Sequence, residues 1–383
     1  MSDAHGYLKV LLGRLRALRE QRGISESALE ERLILGPGWI SRFEAGETVP
    51  TIDMVLAILN ETGGTLDQLA AGLPKPKASE IERLIYAEQS QGNVTIRFRY
   101  ANFDAQYTLV NAKIEEFNEV IKTLRDGLAG LDSSRVGQVD AIKRDSVART
   151  FLVAAKRWPH INPSDLWWFL VYRAYCDPFN HPATFARLDF DQSWKRTGGW
   201  ALEKILVSHY GPFLKASGVN LYIADAEEKE RLVRTMRMKG RVEADKIDVV
   251  LTGDTLEGAR FFGVVHVKAS FAERRSDDVP LSTSLMRAGY TTPLWTMDCK
   301  STPAKVPNNR GELGQTSGDR SAKRKDTEDE GYFTGCFSYN AQTQPSTGKL
   351  PPERRIYVCN FSNPDDAFSQ FIVRRWRAFA TQP

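Results

Sequence analysis

The sequence is short of cysteine: Cys176, Cys299, Cys336 and Cys359 are the only four in 383 residues, and no two form a C-x-x-C pair. Their spacing fits no zinc site and no disulfide framework, so free thiols in a reducing, cytoplasmic setting are expected. Histidine is also scarce, and His160, His181 and His209 have no ligand spacing, so they read as structural. No apolar run approaches the roughly 20 residues of a membrane span. Lys9, Arg14, Arg16 and Arg19 break up the first apolar residues, which argues against a secretory leader. A large excess of charge is missing too: 52 basic residues face 48 acidic ones, for a net charge of +4. That excludes a polycationic coat for nucleic acid and requires any DNA-facing basicity to be local.

What is present is enough apolar material, 42% of the residues, to build real cores. The length suggests two or three domains. Residues 8–72 read as a run of short helices. Leu8, Leu11, Leu15 and Leu18 fall at helical spacing, Gly23 closes that helix, and Ser25 caps the next. Trp39–Glu44 opens a third helix after the Gly36-Pro37-Gly38 turn, and Leu73-Pro74-Lys75-Pro76-Lys77 has the composition of a linker. A small unit at 79–133 follows: IERLIYAEQ reads as helical, VTIRFRY and AQYTLV as a hairpin, and AKIEEFNEVIKTLRDGLAGL as an amphipathic helix. Residues 138–383 read as a larger α/β domain. Its helices are expected at 140–156, 164–176 and 199–216, its strands at KIDVVLTG, FFGVVHVKAS and PLWTMDC, with closing strands and a last helix after a mobile polar loop at 301–331. The aromatics Trp158, Trp167, Trp168 and Trp194 are expected mostly in the core, and Arg374-Arg375-Trp376-Arg377 on a helix face.

Three stretches carry chemistry. In the first, Leu15, Arg19, Gly23 and Leu29 are followed by Ile40-Ser41-Arg42-Phe43-Glu44-Ala45-Gly46-Glu47, then Pro50, Val55 and Leu56. This pattern resembles the Xre and phage-repressor helix-turn-helix family over residues 1–73. Ile40 and Phe43 would anchor the third helix in the core, and Trp39, Ser41 and Arg42 would face a major groove or phosphates. Glu26 stands where the family often has a phosphate-touching Gln.

The second is Asp248 and Lys268, on two strands that can form a hairpin with both polar groups at one end. Phosphodiester hydrolysis uses carboxylates to hold Mg²⁺ and a lysine to stabilise charge at the phosphate. The pattern resembles a PD-(D/E)xK nuclease core. The following residues, Lys268-Ala269-Ser270-Phe271-Ala272-Glu273-Arg274-Arg275-Ser276-Asp277-Asp278, resemble the CCGG-cutting type II restriction endonucleases, in particular the BsaWI-like group. In that family an arginine and an acid after the lysine read G and C through the major groove, which fits bidentate Arg on guanine and a carboxylate on cytosine N4. The resemblance thus implies base recognition by Arg274, Arg275, Asp277 and Asp278. Here Ile247 replaces the family's proline, His266 stands where a carboxylate or serine precedes x-Lys, and the later carboxylate falls among Ser282 and Ser284. Glu203, on the helix GGWALEKILVSHYGPFL, is therefore the candidate second metal ligand. His266 could touch metal or water, or could be a packed strand histidine.

The third is a rival pair, Asp298-Cys299-Lys300, on a later strand. It ranks behind Asp248 and Lys268 because it follows the R-S-D stretch.

The expectation is a multi-domain protein: an all-α helix-turn-helix bundle, a small α/β middle unit, and an α/β PD-(D/E)xK nuclease with a mixed sheet. The resemblance implies a Mg²⁺-dependent endonuclease acting on double-stranded DNA. It would be a homodimer or higher homo-oligomer, with a cognate DNA methyltransferase in the same system. The rival class is an Xre-type regulator with a non-catalytic sensor domain. KASFAERRSDD is unlike an apolar sensor pocket, which favours the nuclease.

Overall fold

The computed structural model describes residues 3–48, 51–71, 84–100, 103–182, 190–236, 243–270, 275–299, 308–318 and 320–381. The proposed linker at 73–77, Arg274 and Lys300 lie outside the described residues. No described helix is long and apolar enough to cross a membrane. Internal contacts divide the chain into two units, residues 1–80 and 81–383.

The first unit is all helical: α1 (Asp3–Gln21), α2 (Glu26–Arg32), α3 (Trp39–Glu44), α4 (Ile52–Thr62) and α5 (Leu66–Ala70). Leu12, Leu15, Leu29, Ile40, Phe43, Ile58, Leu59 and Leu69 form its core, matching the apolar spacing read from the sequence. Two buried acids tie α3 down. Glu30 accepts from the Ile40 N–H at 3.0 Å, serving the helix start that Gly38 leaves without a side-chain cap. Glu44 is held by the Arg19 guanidinium through two bonds of 2.7 and 2.9 Å, so the family's Arg and Glu do structural work here.

The second unit opens with a three-stranded antiparallel sheet, β1 (Ile85–Ser90), β2 (Asn93–Tyr100) and β3 (Phe103–Leu109). Of the helix expected over 81–89, residues 85–89 are instead strand, and 81–83 lie outside the described residues. Gln91 and Gly92 both have positive φ, +48° and +77°, and close a tight hairpin that pairs Ile85 with Phe98. Next come α6 (Ile114–Leu128), α7 (Val139–Arg157), α8 (Pro163–Asp165), a π-helical stretch Leu166–Val171, α9 (Tyr172–Cys176) and α10 (Phe190–Lys215). The rest is built on a six-stranded sheet, β4 (Val219–Tyr222), β5 (Val249–Thr255), β6 (Gly258–Lys268), β7 (Leu294–Thr296), β8 (Cys336–Ser338) and β9 (Ile356–Val358), in that spatial order. β4, β5 and β6 pair antiparallel, and β6 through β9 pair parallel, so the sheet is mixed. Four further helices lie among the described residues of the unit: α11 (Ala226–Thr235), α12 (Arg275–Arg287), α13 (Ala322–Glu328) and α14 (Ala367–Ala380).

The largest apolar core of the second unit lies beside two smaller ones, around Val250 and Leu285 and around Leu294 and Phe333. It joins Ile85, Ile96 and Val120 of the expected 79–133 module to Phe151, Trp167, Leu206, Val265 and Phe371. Trp158, Trp167 and Trp194 lie in it, with Trp168 packed against it. The polar stretch expected as a loop is also more structured than its composition suggests. Within 308–331, α13 buries Arg324 completely, with its guanidinium bonded to Glu328 at 2.7 Å and to the carbonyls of Leu313 and Gly314. Buried Arg324 and Leu313 together anchor this polar stretch, the arginine through its hydrogen bonds and the leucine in an apolar cluster.

Candidate active site

The β5–β6 hairpin decides where the reactive groups sit. Val249 pairs with Val265, so Asp248, one residue ahead of β5, falls beside the end of β6. There its Oδ2 accepts from the Val267 N–H at 2.9 Å and from the Lys268 ammonium at 2.8 Å. The flanking residues Ile247, Val249, Val250, Val264 and Val265 are all buried, which fixes the hairpin register.

A third group joins from α12. Asp278, only 2% exposed, brings its carboxylate to 3.2 Å from the Lys268 ammonium and 3.9 Å from His266 Nδ1. The sequence reading gave Asp278 to base recognition, whereas the structure places it in the buried cluster with Asp248. The signal was available in helical phase: Asp278, Leu281 and Leu285 recur at i, i+3 and i+7, and both leucines are buried. Arg275 and Asp277 belong to the first turn of α12, and their side chains lie outside what the structure describes.

The electrostatics follow from burial. Desolvation raises the Asp248 carboxyl, but the charge of Lys268, the neighbouring His266 and the hydrogen bonds from Lys268 and Val267 hold it below its ordinary value. Burial lowers Lys268, yet Asp248 and Asp278 keep it above its ordinary value and charged. Burial depresses His266 to about 4, so the imidazole is neutral near pH 7. Glu203, on α10, is pushed up to about 8 by burial and then by Asp248, against the charges of Lys229, Lys268 and Arg144. Glu203 thus feels the charges of Asp248 and Lys268, but it is not one of the donor groups that converge with Asp248. Lys229, on α11, was not singled out in the sequence because nothing local marks it.

The donor atoms of Asp248, His266 and Asp278 lie within 4.8 Å of one another. Both ring nitrogens of His266 are buried without a hydrogen-bond partner, although the ring packs edge-on against Phe333. Carboxylate oxygens beside an unsatisfied imidazole are a donor set that a hard divalent cation can use.

The rival pair resolves differently. Asp298 is 1% exposed, and its carboxylate accepts from the N–H groups of Glu312 and Leu313 and from the Thr343 hydroxyl. It anchors a loop and has no lysine near it among the described residues. In the first unit Ser41 and Arg42 are exposed on α3. Trp39, expected to face outward, is instead half-buried with its ring stacked on Phe43 at 5.1 Å, because the apolar ring gains more from the core edge than from water. His181 donates from Nε2 to the Tyr175 carbonyl and His209 packs on Tyr210 and Phe361, so both are structural.

Comparisons with known proteins agree with both units. Residues 10–72 match the helix-turn-helix domain family. Over 238 residues the chain is 40% identical to the type II restriction enzyme AgeI of Thalassovita gelatinovora, spanning 60% of this chain and 83% of that enzyme. The crystal structure of the specific AgeI–DNA complex superposes with a TM-score of 0.64 at 32% identity, covering 73% of this chain and 99% of that one. The pre-specific BsaWI–DNA complex aligns at 15% identity with a TM-score of 0.34, over 70% of this chain and 94% of that one. That identity to a restriction enzyme decides against a regulator that only senses. A helix-turn-helix bundle, a mixed sheet bearing a buried Asp–Lys–Asp cluster, and this degree of likeness lead to one conclusion: the chain belongs to the type II restriction endonucleases, as an AgeI-like site-specific deoxyribonuclease with a helix-turn-helix domain at its N-terminal end.

Proposed function

We propose that this enzyme cleaves both strands of a short palindrome containing CCGG in a Mg²⁺-dependent reaction, with Asp248, Asp278 and Lys268 at its centre. The observation that carries the reading is the buried lysine bonded to two carboxylates, at 2.8 and 3.2 Å. Enzymes of this family generally need a divalent metal. In this chain Asp248 and Glu203 would hold it, and the geometry adds Asp278 and makes His266 available. A bound ion of this kind polarises the phosphate and eases formation of hydroxide. Lys268 is kept charged by its two carboxylates, so it can stabilise negative charge building on the phosphate. His266 stays neutral and offers a nitrogen rather than a charge.

Sequence would be read at the start of α12. Arg274, Arg275 and Asp277 are the residue types that pair with guanine and cytosine edges, and they directly precede Asp278 in the chain. A palindrome has two-fold symmetry, so two copies of the chain acting together are expected. The helix-turn-helix unit would add DNA contacts through Ser41 and Arg42, either flanking the target or at promoter DNA. The proposed setting is the cytoplasm, with a methyltransferase protecting the same site.

The test is incubation of plasmid and a sequenced phage genome with the protein, with Mg²⁺ and with EDTA. Discrete fragments whose mapped ends share CCGG are expected with Mg²⁺ alone. Intact DNA in Mg²⁺ would refute cleavage with that ion, equal cutting in EDTA would refute the metal dependence, and ends without CCGG would refute the specificity.

A further inference from the structure

The loop that Asp298 anchors ends on the strand carrying the catalytic lysine. Asp298 adopts positive φ, +48°, and turns its carboxylate back onto the backbone of Glu312 and Leu313 at 2.5 and 3.1 Å. Gly311 is required for this approach. Its φ is +71°, and a Cβ there would lie 2.3 Å from Asp298 Oδ2. Asn340 closes the other side, donating to the carbonyls of Asp298 and Asn309. The result is a rigid, buried mount, and Glu312 projects from it. The Glu312 carboxylate accepts from the Ser270 hydroxyl at 2.9 Å and pairs with Lys323 at 2.8 Å.

Ser270 occupies a decisive place in the chain. It is two residues after Lys268, and only residues 271–274 separate it from Arg275. Upstream, the backbone is fixed by β6 pairing with β7, where Lys268 faces Thr296, and by the Cys299 N–H donating to the Ala269 carbonyl at 2.9 Å. Downstream, Asp278 returns to Lys268. The Glu312–Ser270 bond therefore pins the departure point of the segment that joins the phosphate-side lysine to the proposed base-reading residues. Lys323 meets the same carboxylate oxygen, Oε2, at 2.8 Å, which orients it toward Ser270.

We infer that Glu312, mounted by Asp298 and Gly311 and braced by Lys323, is a positioning residue that holds Ser270 so that base recognition at the start of α12 and the reaction at Lys268 stay in register. This rests on the functional reading of Lys268 and Arg275 given above. The carboxylate touches neither DNA nor metal in this role. It acts through Ser270, and a displacement of well under the size of a side chain at a reacting centre is enough to slow the reaction.

The experiment uses the full chain and measures three quantities for Ser270→Ala, Ser270→Thr, Glu312→Gln, Glu312→Ala and the Ser270→Ala/Glu312→Ala double variant. These are single-turnover cleavage of a cognate duplex in Mg²⁺, the cognate-to-near-cognate cleavage ratio, and affinity for the cognate duplex in Ca²⁺. Ser270→Ala and Glu312→Ala are each expected to slow cognate cleavage about tenfold or more and to lower the cleavage ratio, with affinity changed far less. The double variant should be no slower than the worse single one within about twofold, because one bond is lost in all three. Ser270→Thr, which keeps the hydroxyl, should restore most of the rate. Additive effects, or a Ser270→Ala enzyme with wild-type rate and ratio, would overturn the inference. If Glu312→Ala does not fold, Glu312→Gln paired with Ser270→Ala completes the same cycle. Lys268→Ala and Arg275→Ala run alongside. An active Lys268→Ala or a fully discriminating Arg275→Ala would sink the underlying reading, whereas their expected behaviour with no coupling between Ser270 and Glu312 sinks only this inference.

Discussion

Removal of the Lys268 charge is the most informative single perturbation. Lys268→Met keeps the length and the apolar stem but leaves Asp248 and Asp278 facing each other with no ammonium between them. At an effective dielectric of about 20 the two attractions, at 2.8 and 3.2 Å, are each worth about 5–6 kcal/mol before desolvation is counted. Most of that offsets the burial of the charges. What remains measurable is the cost of an uncompensated buried carboxylate pair, about 3–5 kcal/mol. For a unit of this size a kcal/mol moves Tm by about 2 °C, so a loss of about 5–10 °C in EDTA is expected. A divalent ion should return more stability to the variant than to the wild type, since it supplies the missing positive charge. Turnover should fall by about 100-fold or more even in saturating Mg²⁺. The assay is thermal unfolding of both proteins in EDTA and in Ca²⁺, followed by single-turnover cleavage. A variant with the wild-type Tm in EDTA would show that the lysine does not balance the carboxylates. A variant that cuts within threefold of wild type would show that Lys268 is not the catalytic lysine.

Further predictions concern other parts of the molecule. Asp278→Asn should reduce cleavage by about 100-fold while leaving discrimination of cognate duplex in Ca²⁺ intact, because its partners are Lys268 and His266; loss of discrimination with cleavage retained would return it to base reading. Asp165 accepts from Tyr107 and Asn309, and burial pushes its carboxyl up to about 6 against the hydrogen bonds it accepts. A raised acid favours the fold only while protonated, so this contribution is present below about pH 4 and is lost as pH rises through about 6. Asp165→Asn should therefore raise stability by about 1–2 kcal/mol at pH 7.5 and not at pH 4, measured by urea unfolding at both; equal effects at the two values would refute the assignment. A fragment of residues 81–383 should fold and cut DNA with weaker affinity and a shallower salt dependence, because the exposed Ser41 and Arg42 are removed; an insoluble fragment would mean that the two units depend on each other.

The sequence by itself determined the elements whose signals are local. The apolar spacing of α1 through α4, the Gly38 turn and the alternation along β2 and β6 are set by side-chain period and backbone preference, and these need no distant partner. The meeting of Asp248 and Lys268 was legible because a hairpin forces two strand ends together. Tertiary contact decided the rest. Residues 85–90 carry enough apolar and charged residues to read as helix, and only pairing with β2 makes them a strand. Asp278 was read from the sequence as a base-recognition acid beside Asp277, and only the packing of α12 brings its carboxylate to Lys268. Asp298 had the spacing of a catalytic acid, yet Glu312, Leu313 and Thr343, brought in from later in the chain, use up its carboxylate. Lys229 and Arg144 come to Glu203 from separate helices, with no motif to announce them. The physical reason is the same in each case: spacing along the chain fixes which face a side chain occupies, but the charge state and role of a buried group depend on neighbours that sequence separation hides.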